Sequence, residues 1–512
     1  MPPINKSRIA KNTALLYFRM LLTMMITLYT TRVVLQVLGA EDYGTYGAVA
    51  AVVLMFGFLS GTMATAAQRF FAIELGVENH SKLKQIFSIN VLIFIGLALI
   101  IFFLAETAGL WFFRVKMDIP PHRMEAAAWV YQFAIFSFMV RIITTPYLAI
   151  ITAREQMQVY AYLSIFEVVF KLGIVFLLIY FPSADKLILY AILLFIVEIL
   201  ISAAYILYGT LKFPECKVKY YWNKTMFNEV FGFAGWNVIG ALAMAIRSQG
   251  ITMLLNTFFG VLVIAARSIA FQIYSALNLF AFNFFTAVRP QIIKSYSADN
   301  EDKSGEMMKL VFQSSKFCYY LLLVLSIPIL IETKSILHIW LKEVPEYTLI
   351  FTRLIIINSI LESLANPFLA SIQATGKIKM YQIITGSIVL MNLPVSYLFL
   401  KFGAPPQSTL LIVIAITILA HFSRIYFMNK LLRMNILNYF KQVILPISAV
   451  TILAIVLPLF YYYSFSVSFW RLVGVCTVSL ITSAFIIYYV GLTKSERKGL
   501  RGFVLSKVKR KG

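Results

Sequence analysis

Charge is scarce in this chain of 512 residues: 13% are Asp, Glu, Lys or Arg, against roughly 25% in soluble domains. A water-soluble globule is excluded, because 60% of the residues are hydrophobic and fall in repeated runs of membrane-span length. The three cysteines, Cys216, Cys318 and Cys476, lie too far apart for a metal-ligand or disulfide pattern. With four histidines, no H-E-x-x-H pair and no His/Asp cluster, metal-dependent hydrolysis has no basis in the sequence. ATP-driven transport has none either: no G-x-x-x-x-G-K-[ST] occurs, and Gly376-Lys377 lacks the upstream glycine. The longest hydrophilic stretch, 289–316, holds 28 residues, too few for a separate catalytic domain. The composition describes no enzyme and calls for no cofactor.

What is present is an all-α polytopic membrane protein of about fourteen spans: 13–38, 44–67, 87–112, 128–152, 158–181, 187–210, 233–257, 263–288, 317–331, 350–372, 380–400, 407–429, 443–464 and 472–491. The ninth is short because it is trimmed at Lys316 and Glu332. Lys6, Arg8 and Lys11 precede an apolar run without a small-residue cleavage site, which predicts a retained first helix. A cytoplasmic amino terminus puts 29 Lys and Arg in inside segments and 8 in outside loops, satisfying the positive-inside bias with both termini cytoplasmic. The outside loop from Arg114 to Arg123 fits this poorly. Most of the formal +23 then faces anionic inner-leaflet lipid, and nucleic acid is not the expected partner. The basic tail from Lys494 to Lys511 reads as a membrane-surface anchor.

The chain is internally duplicated. Thr145-Pro146-Tyr147-Leu148-Ala149 matches Asn366-Pro367-Phe368-Leu369-Ala370, and Ile151/Ile372, Ala153/Ala374 and Tyr160/Tyr381 keep the same register. Ser137, Arg141 and Thr145 share one helix face, as do their counterparts Asn358, Glu362 and Asn366. Six spans separate the copies, so both halves enter the membrane alike and are related by a pseudo-twofold axis along its normal. The expected organisation is a first six-helix lobe (1–212), a cytoplasmic linker with amphipathic character (213–232), a second six-helix lobe (233–430), two further helices (431–491) and the tail (492–512).

Eight basic residues fall within spans against four acids, Glu106, Glu167, Glu198 and Glu362. An Arg at a helix centre costs roughly 2.5–3.5 kcal/mol to insert, so it faces protein or a water-filled cavity. Arg141 and Arg247 lie near midspan beside small and hydroxylated residues, and Arg19 and Arg32 flank the middle of span 1. Arg267 is a further candidate, although it, Arg353 and Arg424 stand close enough to span ends to snorkel. Glu106, near the outer end of span 3, reads as interfacial. Lys171 follows Glu167 by one turn, the spacing of a structural ion pair. Glu198 has no local partner, which leaves it protonated or paired with an Arg on another helix; it and Glu362 are candidate carriers of H⁺ or Na⁺. A cavity with this positive balance attracts anions, and the forked donors of Arg suit phosphate.

The turn Leu38-Gly39-Ala40-Glu41-Asp42-Tyr43-Gly44, and span 8 from Ile269-Ala270-Phe271-Gln272-Ile273 to Arg289-Pro290, add to the duplicated layout. Together, over about residues 8–440, these resemble the polysaccharide flippases of the multidrug/oligosaccharidyl-lipid/polysaccharide exporter superfamily. The resemblance implies transfer of an undecaprenyl-pyrophosphate-linked oligosaccharide from the inner to the outer leaflet of a bacterial inner membrane. That step serves O-antigen (lipopolysaccharide), capsule or exopolysaccharide synthesis, beside glycosyltransferases and a polysaccharide polymerase. It further implies alternating access by rocking of the lobes around cationic side chains; Arg19, Arg32, Arg141 and Arg247 lie in helices where such residues belong. A multidrug exporter of the same fold is one alternative, although cationic drugs call for carboxylates that span 1 lacks. A membrane polysaccharide polymerase or lipid-linked-sugar glycosyltransferase is another, although the outside stretches 113–127 and 332–349 are short.

Overall fold

Apolar runs broken by short polar gaps fold as helices, because in hydrocarbon each backbone N–H and C=O must find its partner within its own segment. The computed structural model describes residues 6–57, 79–154, 156–181, 185–217, 244–297, 301–375 and 377–498, with shorter stretches between 63 and 75 and between 221 and 242. Among the described residues all regular structure is helical, and twelve helices are long and apolar enough to cross a membrane. Parts of the expected spans 44–67 and 233–257, most of the linker 213–232 and the tail beyond 498 lie outside the described residues. The chain is a multi-pass helical membrane protein. Contacts divide it into two compact units, Met1–Ser268 and Ile269–Gly512.

The first unit holds α1 (Lys6–Leu54), α2 (His80–Leu104), α3 (Leu110–Lys116), α4 (Met124–Ala153), α5 (Met157–Tyr180), α6 (Lys186–Lys212), α7 (Ile251–Phe259) and the first turns of α8 (Val261–Ser297). α4 packs against α6 and α2, and α1 against α5. α1 is two helices joined at Gly39 (φ 78°, ψ 170°), a conformation open essentially to glycine alone. The break falls where the expected first span ends. α2 runs into α3 through a π-turn, Ala105–Gly109. Such a wide turn disturbs the helical ladder, and the Tyr131 hydroxyl donates to the Ala105 carbonyl at 2.6 Å.

The second unit continues α8 and holds α9 (Glu301–Ile331), α10 (Thr333–Leu341), α11 (Thr348–Glu362), α12 (Ala365–Ala374), α13 (Lys379–Leu390), α14 (Asn392–Lys401), α15 (Ser408–Leu432), α16 (Ile436–Tyr439), α17 (Leu445–Ser464) and α18 (Phe469–Ile486). The hairpin of α17 and α18 packs on α9. The ninth span is longer than its charges suggested: the apolar helix runs from Glu306 to Ile331. Lys316 and Glu332, which had trimmed it, are both buried and ion-paired, Lys316 with Glu496 at 2.8 Å and Glu332 with Arg471 at 2.7 Å.

The register of the duplication recurs in the backbone. Gly260 (φ 74°, ψ −169°) is the position that this register pairs with Gly39, and it repeats the same conformation. Each glycine separates two consecutive helical segments.

Candidate functional site

The polar interior of the first unit begins on α1. Arg19 donates from Nη1 to Ser164 Oγ at 3.2 Å, and its guanidinium lies 4.6 Å from the centre of the Tyr160 ring. Both partners are on α5, so a cation held by a hydroxyl and a π-face stands where α1 crosses α5. Arg32, further along α1, is half-buried and is engaged by its neighbours.

Arg141 comes from α4, yet its charge is not open. Its fork meets the Glu198 carboxylate on α6, Nε at 3.0 Å and Nη2 at 2.6 Å, and Glu167 on α5 lies 3.6 Å away. Glu167 also takes Lys171 Nζ at 2.5 Å, the i,i+4 pair that the spacing predicts. Two cations and two carboxylates therefore tie α4, α5 and α6 together with no net charge. Glu198 has found its partner on another helix. Arg141 keeps more than half of its side chain accessible, so the pair is discounted to about 1 kcal/mol or less. Arg141→Met is expected to lower stability by that amount, and Glu198→Leu in the same chain to restore it, as read from unfolding in detergent.

Arg247 and Arg267 meet differently. Arg247 lies in a second π-turn, Ile246–Gly250. Arg267 on α8 is 4% exposed, donates from Nε to Thr252 Oγ1 at 3.0 Å and from Nη2 to the Ser248 carbonyl at 3.3 Å. That carbonyl belongs to the π-turn, where the wider winding presents backbone groups to side chains. Arg267 is thus seated inside the protein and does not snorkel. The charge of Arg247 is close enough to bear on it.

Glu362 closes α11 in the second unit. Asn358 Nδ2 reaches its carboxylate at 3.5 Å, and Thr417 Oγ1 on α15 donates to Asn358 Oδ1 at 2.8 Å. The repeat-mates Arg141 and Glu362 therefore differ in setting: one belongs to a charge cluster, the other to an amide and hydroxyl chain.

Sequence reading missed the clasp around Arg123. Its guanidinium grips Asp42 on α1 at 2.7 and 2.8 Å and Asp185, the N-cap of α6, at 2.7 and 3.0 Å. Burial alone would raise the Asp185 carboxyl, but Arg123 and the Ile188 and Leu187 N–H groups hold it below the usual carboxylate range. The signal was the loop that fitted the positive-inside bias poorly: its arginine is neutralised by two aspartates. Arg154–Glu215 is a further pair that long sequence separation concealed.

The architecture can be placed among solved structures. A lipid II flippase, MurJ, in an inward closed conformation superposes with a TM-score of 0.66 and 14% identity, covering 93% of this chain and 99% of that one. A multidrug resistance MATE family transporter, inward-facing, gives 0.67 and 13%, covering 80% and 96%. The chain has the fold of the MOP superfamily. A third MOP transporter, from Pyrococcus furiosus and described as having a binding pocket of reverse polarity, gives 0.58 and 12%, covering 83% and 97%. Neither a family profile nor a curated protein matches the sequence. At these identities the likeness shows the fold alone.

Proposed function

We propose that this MOP-fold transporter flips an undecaprenyl-pyrophosphate-linked oligosaccharide outward across a bacterial inner membrane by alternating access, for surface polysaccharide synthesis. Both termini are cytoplasmic on this reading, and the lobes divide as 1–212 and 233–430. The observation that carries it is coverage. The lipid-flippase likeness extends over 93% of the chain, against 80% for the MATE transporter, and the difference is about the length of two spans. The chain shares that extra length with a lipid II flippase.

Arg247 and Arg267 supply the positive seat for the pyrophosphate, with Arg19 and Arg32 on α1 contributing to the same cationic cavity. Arg141 serves mainly to hold three helices in place. An inside-negative potential favours outward movement of negative charge by ~2.3 kcal/mol per charge per 100 mV. Where an ion is exchanged, Glu198 and Glu362 are its candidate carriers.

The test is a proteoliposome assay with a fluorescent polyprenyl-pyrophosphate saccharide. Losing a charge-assisted contact costs ~1.5–3 kcal/mol, so Arg247→Gln and Arg267→Gln should each slow flipping by about tenfold or more at normal protein level. Full rates in both would end the proposal. A deletion strain sensitised to cationic drugs, with intact surface polysaccharide, would favour the multidrug reading.

A further inference from the structure

The two positive-φ glycines mark more than chain turns. The helical segments that follow them, residues 40–54 of α1 and the start of α8, touch backbone to backbone. A Cβ built on Gly44 would stand 1.9 Å from the Val261 carbonyl oxygen and 3.3 Å from the Ala265 nitrogen; one on Gly47 would stand 2.7 Å from Ser268 Oγ. Ala48, Ala51, Ala265 and Ala266 are buried beside them. Small residues are what let helices in a membrane approach this closely.

The register of the contact is informative. In the register that pairs Thr145 with Asn366 and Gly39 with Gly260, Gly44 falls opposite Ala265 and Gly47 opposite Ser268. Each residue meets its own repeat-mate, which happens only where an interface lies on the twofold axis relating the copies. One loop holds both segments in place. Arg123 binds Asp42, just beyond Gly39. Upstream in the same loop, the Asp118 N–H donates to Asn256 Oδ1 at 2.9 Å and the Asn256 Nδ2 donates to the Asp118 carbonyl at 3.2 Å. Gly260 leaves room for the Asp118 carboxylate, which a Cβ there would approach at 3.0 Å.

We propose that this self-paired contact is the outer gate of the transporter: Gly39 and Gly260 are its twin hinges, the Gly44/Ala265 and Gly47/Ser268 pairs its seal, and Asp118–Asn256 its latch. A seal on the pseudo-twofold axis closes the central path at one end, and the Arg114–Arg123 loop puts that end outside. The charged side chains flanking the latch, Asp42, Arg123 and Asp185, are ion-paired with one another, and the latch itself is an amide contact. The assignment of a gate rests on the alternating-access reading, whereas the packing itself does not.

The test uses Gly47→Cys with Ser268→Cys in a chain whose three native cysteines are serine. The Cβ of residue 47 would lie 3.8 Å from that of residue 268, the usual span of a disulfide. Oxidation in membranes should form the bond, slow hydrogen exchange across 40–54 and 256–268 by about tenfold, and stop flipping until a reductant is added. Asn256→Ala, which removes only the latch, should speed exchange in the same peptides by about fivefold, a loss of ~1 kcal/mol. Failure of the bond to form, or unaltered exchange in both variants, overturns the gate. A bond that forms and slows exchange while flipping proceeds at full rate overturns it too. Altered exchange in a reduced chain that never flips the saccharide probe keeps the gate and overturns the cargo.

Discussion

Glu496→Ala is expected to destabilise the protein by about 3–5 kcal/mol, the usual consequence of leaving one member of a buried ion pair alone. The Lys316 and Glu496 side chains are 2% and 4% exposed, and Nζ stands 2.8 and 2.9 Å from the two carboxylate oxygens. The Thr493 N–H adds a third bond at 2.7 Å. With the carboxylate gone, the ammonium has no water to turn to. Lys316→Met together with Glu496→Leu should recover most of the loss, because two apolar chains of similar volume replace a pair whose desolvation was itself costly. Burial alone would raise the Glu496 carboxyl, yet Lys316 and Thr493 hold it below its ordinary 4.5. Its contribution is therefore complete above that value and fades as pH falls through the lowered one. Unfolding in detergent, followed against pH, should show this acid limb in the native chain and lack it in the double variant.

That pair also shows which facts a linear reading reaches. The helical class, most of the spans and the glycine at the first break are local or periodic, and these were legible. The ninth span was cut short because Lys316 and Glu332 are charges in an apolar run; their partners, Glu496 and Arg471, lie 180 and 139 residues away. Glu198 and Arg141 are 57 apart, again beyond any helical period. A charge inside a span therefore announced a partner without naming it, and only Lys171, whose partner lies one turn away, could be assigned beforehand. Arg267 was ambiguous for another reason. Its distance from a span end permitted snorkelling, and the π-turn at 246–250 that receives it has no sequence signature.

Gly44→Ala and Gly96→Ala are the same substitution and should have opposite signs. Nothing lies within 4 Å of a Cβ on Gly96, or of one on Gly173. Alanine there relieves the entropic penalty of a glycine in a helix, and a gain of about 0.5–1 kcal/mol is expected. At Gly44 the obstacle is the Val261 carbonyl at 1.9 Å, and backbone cannot rotate away as a side chain can. The α1 and α8 segments must separate by about 1 Å or more to restore ordinary contact. The cost should reach the upper end of overpacking penalties, at least about 3 kcal/mol. Gly109→Ala offers an intermediate case, because its obstacle is the Tyr131 hydroxyl at 2.5 Å, the group that satisfies Ala105 across the π-turn. Unfolding midpoints of the three alanine variants should rank Gly96 above the native chain, Gly109 below it and Gly44 lowest. Equal midpoints for Gly44→Ala and Gly96→Ala would mean that α1 and α8 do not meet as closely as their repeat-mates require.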